Sequence, residues 1–237
     1  MVQIAHIESP YTSKFGVPRQ AGLVEGEARV VFEPPFRVAE AVRGLEGFDY
    51  VWLIWQFHLN RREKTQCPNA EDSAPEGAEW SPTVRPPRLG GNKRVGVFAS
   101  RSPFRPNPIG LSSVRLLGVE IVEGLGPVLR VQGADLVDGT PIFDIKPYLA
   151  YADSHPDARS GFAPQAPAQC LQVDDPRGLL AALPPHRAAE LRQALALDPR
   201  PHFHHDPQRR YVMPFDRWEV AFRVIDEWVE VMEVVVK

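Results

Sequence analysis

Arginines spaced by prolines and glycines fill residues 83–113, TVRPPRLGGNKRVGVFASRSPFRPNPIGLSS. The run holds Arg85-Pro86-Pro87-Arg88, Gly90-Gly91, Arg101-Ser102-Pro103 and Phe104-Arg105-Pro106-Asn107-Pro108. Proline fixes φ and restrains the residue before it, so each neighbouring guanidinium samples few directions. Planar cationic forks held stiffly in this way suit bidentate recognition of a carboxylate or a phosphate. The same composition also suits an ordered surface loop or a ligand for a proline-reading partner, and local composition leaves both open.

Other residues could take part in chemistry. His58 follows a long apolar run, FDYVWLIWQFH, where the end of a buried strand would meet a cavity; it reads equally as a functional imidazole or a satisfied core histidine. Asp138-Gly139-Thr140-Pro141 is a turn signal that would present a carboxylate and backbone amides together, or be a plain turn. Asp144 and Lys146 share one face of a strand and could simply pair with each other. His202, His204, His205 and Asp206 lie beside Arg200, Arg209 and Arg210, which favours a polar cationic loop over a metal site. No phosphate-binding loop, dinucleotide fingerprint, nucleophile elbow or zinc spacing appears.

The elements that must position these groups are short and β-rich. The 237 residues are 43% hydrophobic with 25 prolines, enough for a core but a poor composition for long helices. A net charge of −3 excludes a wholly basic coat without excluding a basic patch. Cys67 and Cys170 are too few for a disulfide framework, and neither a leader nor a membrane span is apparent, so a cytoplasmic protein is expected. Strands are expected at residues 2–8, 27–32, 48–58, 94–99, 109–122, 127–133 and 142–149, with the 48–58 strand central. A helix is expected over residues 36–45, and residues 60–80 read as a polar insertion. This pattern predicts a mainly β fold, an antiparallel barrel or sandwich. Residues 156–169 read as a linker to a small α+β domain over 170–237. That domain would hold a strand at 170–173, a helix at 186–197 with Ala189, Leu191, Leu195 and Leu197 inward, and a closing hairpin turned at Asp226-Glu227.

Taken together, several blocks resemble the TrmO family of tRNA methyltransferases, also known as TsaA-like or YaeB-like proteins. They are Tyr11 with FGVPRQ at 15–20, AVRGL at 41–45, PTVRPPRLGGN at 82–92, GVFASRS at 96–102, FRPNPIG at 104–110, LVDGTP at 136–141 and DIKPY at 144–148. Asp198-Pro199-Arg200-Pro201 and Tyr211 extend the likeness into the tail, whereas the insertion around Cys67 is longer than the family's usual connection. The resemblance implies a catalytic antiparallel β-barrel over residues 1–155 that binds S-adenosylmethionine without a Rossmann sheet, a C-terminal domain that contacts tRNA, and a homodimer. It implies methylation of the exocyclic nitrogen of threonylcarbamoyl-adenosine next to the anticodon, a non-catalytic arginine-rich RNA-binding module being the alternative. The family's cofactor motifs map onto Pro18, Arg19 and Gln20, onto His58 and Leu59, onto Arg101 and Leu111, and onto Asp138, Gly139, Thr140 and Pro141. Within that reading, Asp138 and His58 are candidate bases. Arg85, Arg88 and Arg105 would meet the threonyl carboxylate or phosphates, and Phe104 and Tyr148 would stack on bases.

Overall fold

The structure is a computed structural model that describes residues 1–60, 80–86, 89–90, 93–165, 171–201, 204 and 206–237. Period-2 alternation builds its first core. In β3 (Tyr50–Gln56) Val51, Leu53 and Trp55 are buried, while Tyr50, Trp52, Ile54 and Gln56 point the other way. β1 (Ala5–Glu8), β2 (Glu27–Phe32), β6 (Ile109–Val122), β7 (Gly126–Gln132) and β8 (Pro141–Pro147) complete a closed barrel in the order β1-β2-β7-β6-β3-β8. Closure comes from β1 and β8, paired through Ala5 with Ile142 and His6 with Pro141. β3 is antiparallel to β6 on one side and to β8 on the other, and the closed barrel leaves no strand central. Ile7, Val30, Val51, Leu53, Leu129 and Ile142 fill the interior. Gly110 is required where β6 crosses the Trp55 indole, because a Cβ there would lie 2.3 Å from the ring.

Two expectations fail here for visible reasons. Residues 36–45 form no α-helix; 3-10 turns occupy Pro34–Phe36, Ala39–Val42 and Leu45–Gly47 instead. Within those turns only Val42 is buried, and Gly44 sits at φ 86°, so too little apolar surface is covered to offset helix nucleation. The segment 94–99 is a strand only at β5 (Val95–Gly96), which pairs with β4 (Thr83–Val84). Val97–Ala99 then turn in a 3-10 conformation, burying Val97 and leaving Phe98 outside. A one-turn helix, α1 (Ala150–Asp153), follows the barrel.

The C-terminal unit is a sheet of order β10-β11-β12-β9, covered by α2 (Pro185–Ala196). Its strands are β9 (Gln172–Asp174), β10 (Tyr211–Phe215), β11 (Trp218–Ile225) and β12 (Trp228–Val236). The hairpin at Asp226 is as expected, with that residue at φ 52°. β10 was hidden in the sequence by Pro214, yet it is an edge strand, where a missing N–H need not break the ladder. α2 buries Leu191, Ala194 and Leu195, but exposes Ala189 and buries Glu190 in its place. Glu190 accepts from Arg187 at 2.7 Å, and Gly26 presses so close to it that a Cβ would overlap its carboxylate. Burial raises the Glu190 pKa against the opposing Arg187 charge.

The two cores share one stretch of chain. Between β1 and β2, Tyr11 and Val24 enter the C-terminal core, and Phe15 and Val17 pack against it. Phe15 stacks on Tyr211 and Phe222 at 6.3 and 6.2 Å between centroids. Replacing Gly110 by Ala is expected to cost about 1–3 kcal/mol through overpacking against Trp55. Gly47→Ala, which meets open space, should stay within about 0.5 kcal/mol of the parent. Urea denaturation of both variants measures the difference, and equal stabilities would contradict the tight contact.

Candidate functional site

The strand directions gather three loops at one end of the barrel. Chain leaves β1, β3 and β7 there and enters β2, β6 and β8, so residues 9–26 and 133–140, and the described residues between 57 and 108, connect strands on that side. Backbone bonds lace the first loop to the third, Gly22 N–H to Gly133 O at 2.9 Å and Asp138 N–H to Tyr11 O at 2.8 Å, and Gly139 N–H ties the third to β1 through Ile7 O at 2.8 Å. Pro18, Arg19 and Gln20 lie in the first loop, His58, Leu59, Arg85, Arg101, Phe104 and Arg105 in the second, and Asp138, Gly139 and Thr140 in the third. Leu111 and Pro141 stand near the starts of β6 and β8, which flank the end of β3. Arg88 lies outside the described residues, as do Cys67, Cys170, His202 and His205.

Tyr148 does not join this group. It follows β8 at the opposite end of the barrel, where its N–H bonds Tyr50 O at 3.0 Å and its ring contacts Tyr50 and Trp52. Its aromatic type was legible in the sequence, but its place depends on the β3–β8 register. Asp144 and Lys146 pair with each other at 2.9 Å, the plain structural outcome weighed for them.

A polar chain runs from the barrel interior to the loops. Trp55 Nε1 donates to the buried Ser112 Oγ at 2.9 Å, and Ser112 Oγ donates to Asp135 Oδ1 at 2.5 Å. The Ala21 backbone and the Arg101 charge act on the Asp135 carboxylate as well, both favouring its ionised form. Burial pushes the Asp135 pKa above the usual range, partly offset by the Ser112 hydrogen bond. Arg101 Nη1 in turn donates to Gln20 Oε1, and Gln20 Nε2 donates to Arg19 O. Arg19 also acts on the C-terminal unit: burial raises the Asp198 pKa, but hydrogen bonds and charge from Arg200, with the Arg19 charge added, outweigh it and hold it low. Sequence reasoning missed Asp135, Ser112 and Trp55, because the neighbouring Asp138-Gly139 carries the obvious turn signal.

The remaining groups divide by environment. His58 is half-buried, and burial followed by the nearby Lys14 charge lowers its pKa below the ordinary 6.5. Lys14 Nζ donates to Asn60 Oδ1 at 3.1 Å, while the buried Asn60 Nδ2 has no acceptor among the described residues. Leu59 and Leu111 remain 40% and 54% exposed, unusual for aliphatic side chains flanking so many polar groups. Arg85 is exposed; Arg105 is half-buried and braces its own loop by donating to Ser100 O at 3.1 Å. Phe104 is 54% exposed beside it. Asp138 spends one oxygen on the Ser9 N–H at 2.9 Å, which locks the turn. It borders a groove of about 720 Å³ between barrel and α2 that also contains Glu27, Arg29, Arg130 and Arg187 but not His58 or Arg101. Arg29 with Glu8 and Arg130 with Glu27 are already paired there, at 3.1 and 2.9 Å. That groove neutralises itself, whereas the loop end combines arginines, a neutral imidazole and open aliphatic surface.

Comparison with known proteins identifies the family. The family model described as tRNA-methyltransferase O N-terminal domain matches residues 6–154, and that of the TrmO C-terminal domain matches residues 161–237. A tRNA (adenine(37)-N6)-methyltransferase of Escherichia coli is 42% identical over 97% of this chain and 94% of its own. One from Eikenella corrodens is 46% identical over 75% of this chain and 92% of its own. The crystal structure of TrmO from Pseudomonas aeruginosa superposes with a TM-score of 0.72 at 32% identity, covering 98% of this chain and 96% of that one. By match length, identity and fold alike, the chain belongs to the tRNA-methyltransferase O family.

Proposed function

We propose that the loop end of the barrel is a methyl-transfer site that uses S-adenosylmethionine to methylate the N6 nitrogen of threonylcarbamoyl-adenosine beside the tRNA anticodon. Family membership makes the chain a tRNA (adenine(37)-N6)-methyltransferase; the threonylcarbamoyl substrate is the finer reading. The supporting observation is the arrival of Pro18-Arg19-Gln20, His58-Leu59, Arg101, Leu111 and the Asp138–Pro141 turn at one barrel end from separate loops. The residues fit the cofactor chemically. Open Leu59 and Leu111 surface suits an adenine face, the Arg19 and Arg101 guanidiniums suit an amino-acid carboxylate, and the Asn60 amide nitrogen, without an acceptor among the described residues, offers a donor. No helix among the described residues is long and apolar enough to cross a membrane, and a cytoplasmic location is part of this reading.

S-adenosylmethionine, when bound, supplies a methyl group on a positively charged sulfur. In the transfer a nitrogen–carbon bond forms as the carbon–sulfur bond breaks, its electron pair leaves on sulfur, and the N6 proton must go to a base. The protein's part is to align the nitrogen, exclude water and take that proton. His58 is the better of the two candidate bases, because its lowered pKa keeps it neutral at physiological pH and Asp138 is already engaged in its turn. Arg85, Arg88 and Arg105 would bind the threonyl carboxylate or anticodon-loop phosphates, with Phe104 stacking on an unpaired base. Tyr148, at the other barrel end, reaches a base only from a second copy of the chain, which a homodimer would provide. The C-terminal sheet supplies a further tRNA contact in this reading.

Three outcomes follow. Nucleoside mass spectrometry after incubation with S-adenosylmethionine should show a methylated threonylcarbamoyl-adenosine only with tRNA carrying the threonylcarbamoyl group; product from bare adenosine would overturn the substrate assignment. Arg105→Ala should raise the KM for tRNA about tenfold and leave the cofactor KM within about twofold, whereas unchanged tRNA kinetics would remove Arg105 from the substrate side. The acidic limb of the kcat/KM profile should lie below the ordinary imidazole pKa of 6.5, because activity falls as His58 gains its proton, and it should vanish in His58→Gln. A limb unchanged by that substitution would exclude His58 as base.

A further inference from the structure

The polar chain from Trp55 to Gln20 has a fixed direction. An indole N–H can only donate, so Ser112 Oγ accepts it and turns its own hydrogen to Asp135. The carboxylate therefore acts as acceptor on that side, and the backbone of Ala21, one residue beyond Gln20, also favours its ionised form. Its negative charge faces Arg101, whose guanidinium reaches Gln20. Ser112 is buried on β6, Trp55 is walled in by Gly110, and Gly133 O accepts the Gly22 N–H at 2.9 Å, so close that a Cβ on Gly133 would lie 3.3 Å from Gly22. One carboxylate thus sits where the rigid barrel wall, the 18–21 loop and the arginine-rich loop meet.

The geometry points to Asp135 as a positioning residue of the cofactor site, tying the Arg19-Gln20-Ala21 loop and the Arg101 guanidinium to the barrel wall. An exposed arginine on a loop otherwise samples many rotamers, and ordering it on binding weakens affinity. A fixed counter-charge and the Gln20 acceptor restrict it beforehand. Asp135 acts through Arg101 and the loop, so its loss should weaken cofactor binding without slowing the chemical step at saturation. The inference rests on the cofactor assignment proposed above.

Asp135→Asn keeps the shape and an oxygen that accepts from Ser112, but removes the charge that faces Arg101. Calorimetry of the full-length protein should show its Kd for S-adenosylmethionine raised about tenfold, as expected for one lost charge coupling. At saturating cofactor, kcat should stay within about twofold of the parent. Arg101→Ala should weaken binding by itself, and the double variant should bind little worse than Arg101→Ala alone. Ser112→Ala combined with Arg101→Ala gives the same test if Asp135→Asn does not fold, again with a less than multiplicative loss. An unchanged Kd in Asp135→Asn, penalties that multiply fully in the cycle, or a fall in kcat at unchanged KM would each overturn the positioning role. If the parent protein binds no S-adenosylmethionine at all, the cofactor assignment fails and this inference fails with it; loss of the coupling alone overturns only the inference.

Discussion

The chain between β1 and β2 belongs to two hydrophobic cores at once, and the site depends on that sharing. Tyr11 and Val24 are fixed inside the C-terminal core, with Phe15 stacked on its aromatic rings, so Pro18, Arg19 and Gln20 hang between anchored ends. Gly16 makes the approach possible: it lies at φ 92°, and a Cβ there would overlap the buried Met213 side chain. On the barrel side, Gly22, Ala21 and Gln20 are held by Gly133, Asp135 and Arg101. A loop tethered on both sides loses little further freedom when a ligand arrives, which is how a loop can serve a site that demands fixed geometry. The C-terminal unit is thus also an anchor for the loop at this end of the barrel.

Charge is arranged to match. Along the groove between barrel and α2, acids and bases are paired with each other, and they leave little field for a polyanion. At the loop end the arginines are braced by neutral or single-charge partners instead: Arg105 by a carbonyl, Arg101 by an amide oxygen with Asp135 near. Guanidiniums used this way keep donors for an incoming anion while their direction is set. The neutral His58 beside them can accept a proton without competing for that anion.

The sequence made the barrel readable wherever one face of a strand is buried. The apolar run that holds Val51, Leu53 and Trp55 marks β3, and turn residues mark most strand ends. It misled where propensity was not backed by burial, as at 36–45, and where an edge position excused a proline, as at Pro214. The loop residues of the site were legible through their resemblance to a family motif. The support beneath them was not, since Trp55 and Ser112 are 57 positions apart, Ser112 and Asp135 are 23 apart, and no local pattern joins them. Tyr148 shows the reverse limit: its type suggested base stacking, but β-sheet register carried it to the far end of the barrel. Glu190 likewise reads as a solvent position on an amphipathic helix, and only the docking of Gly26 buries it.

A crystal structure of the protein with S-adenosylhomocysteine bound tests the placement of the site most directly. The account predicts the ligand at the loop end, in contact with Gln20, Arg101 and Leu111. A ligand seated in the groove among Arg29, Arg130 and Arg187, away from those three residues, would contradict it.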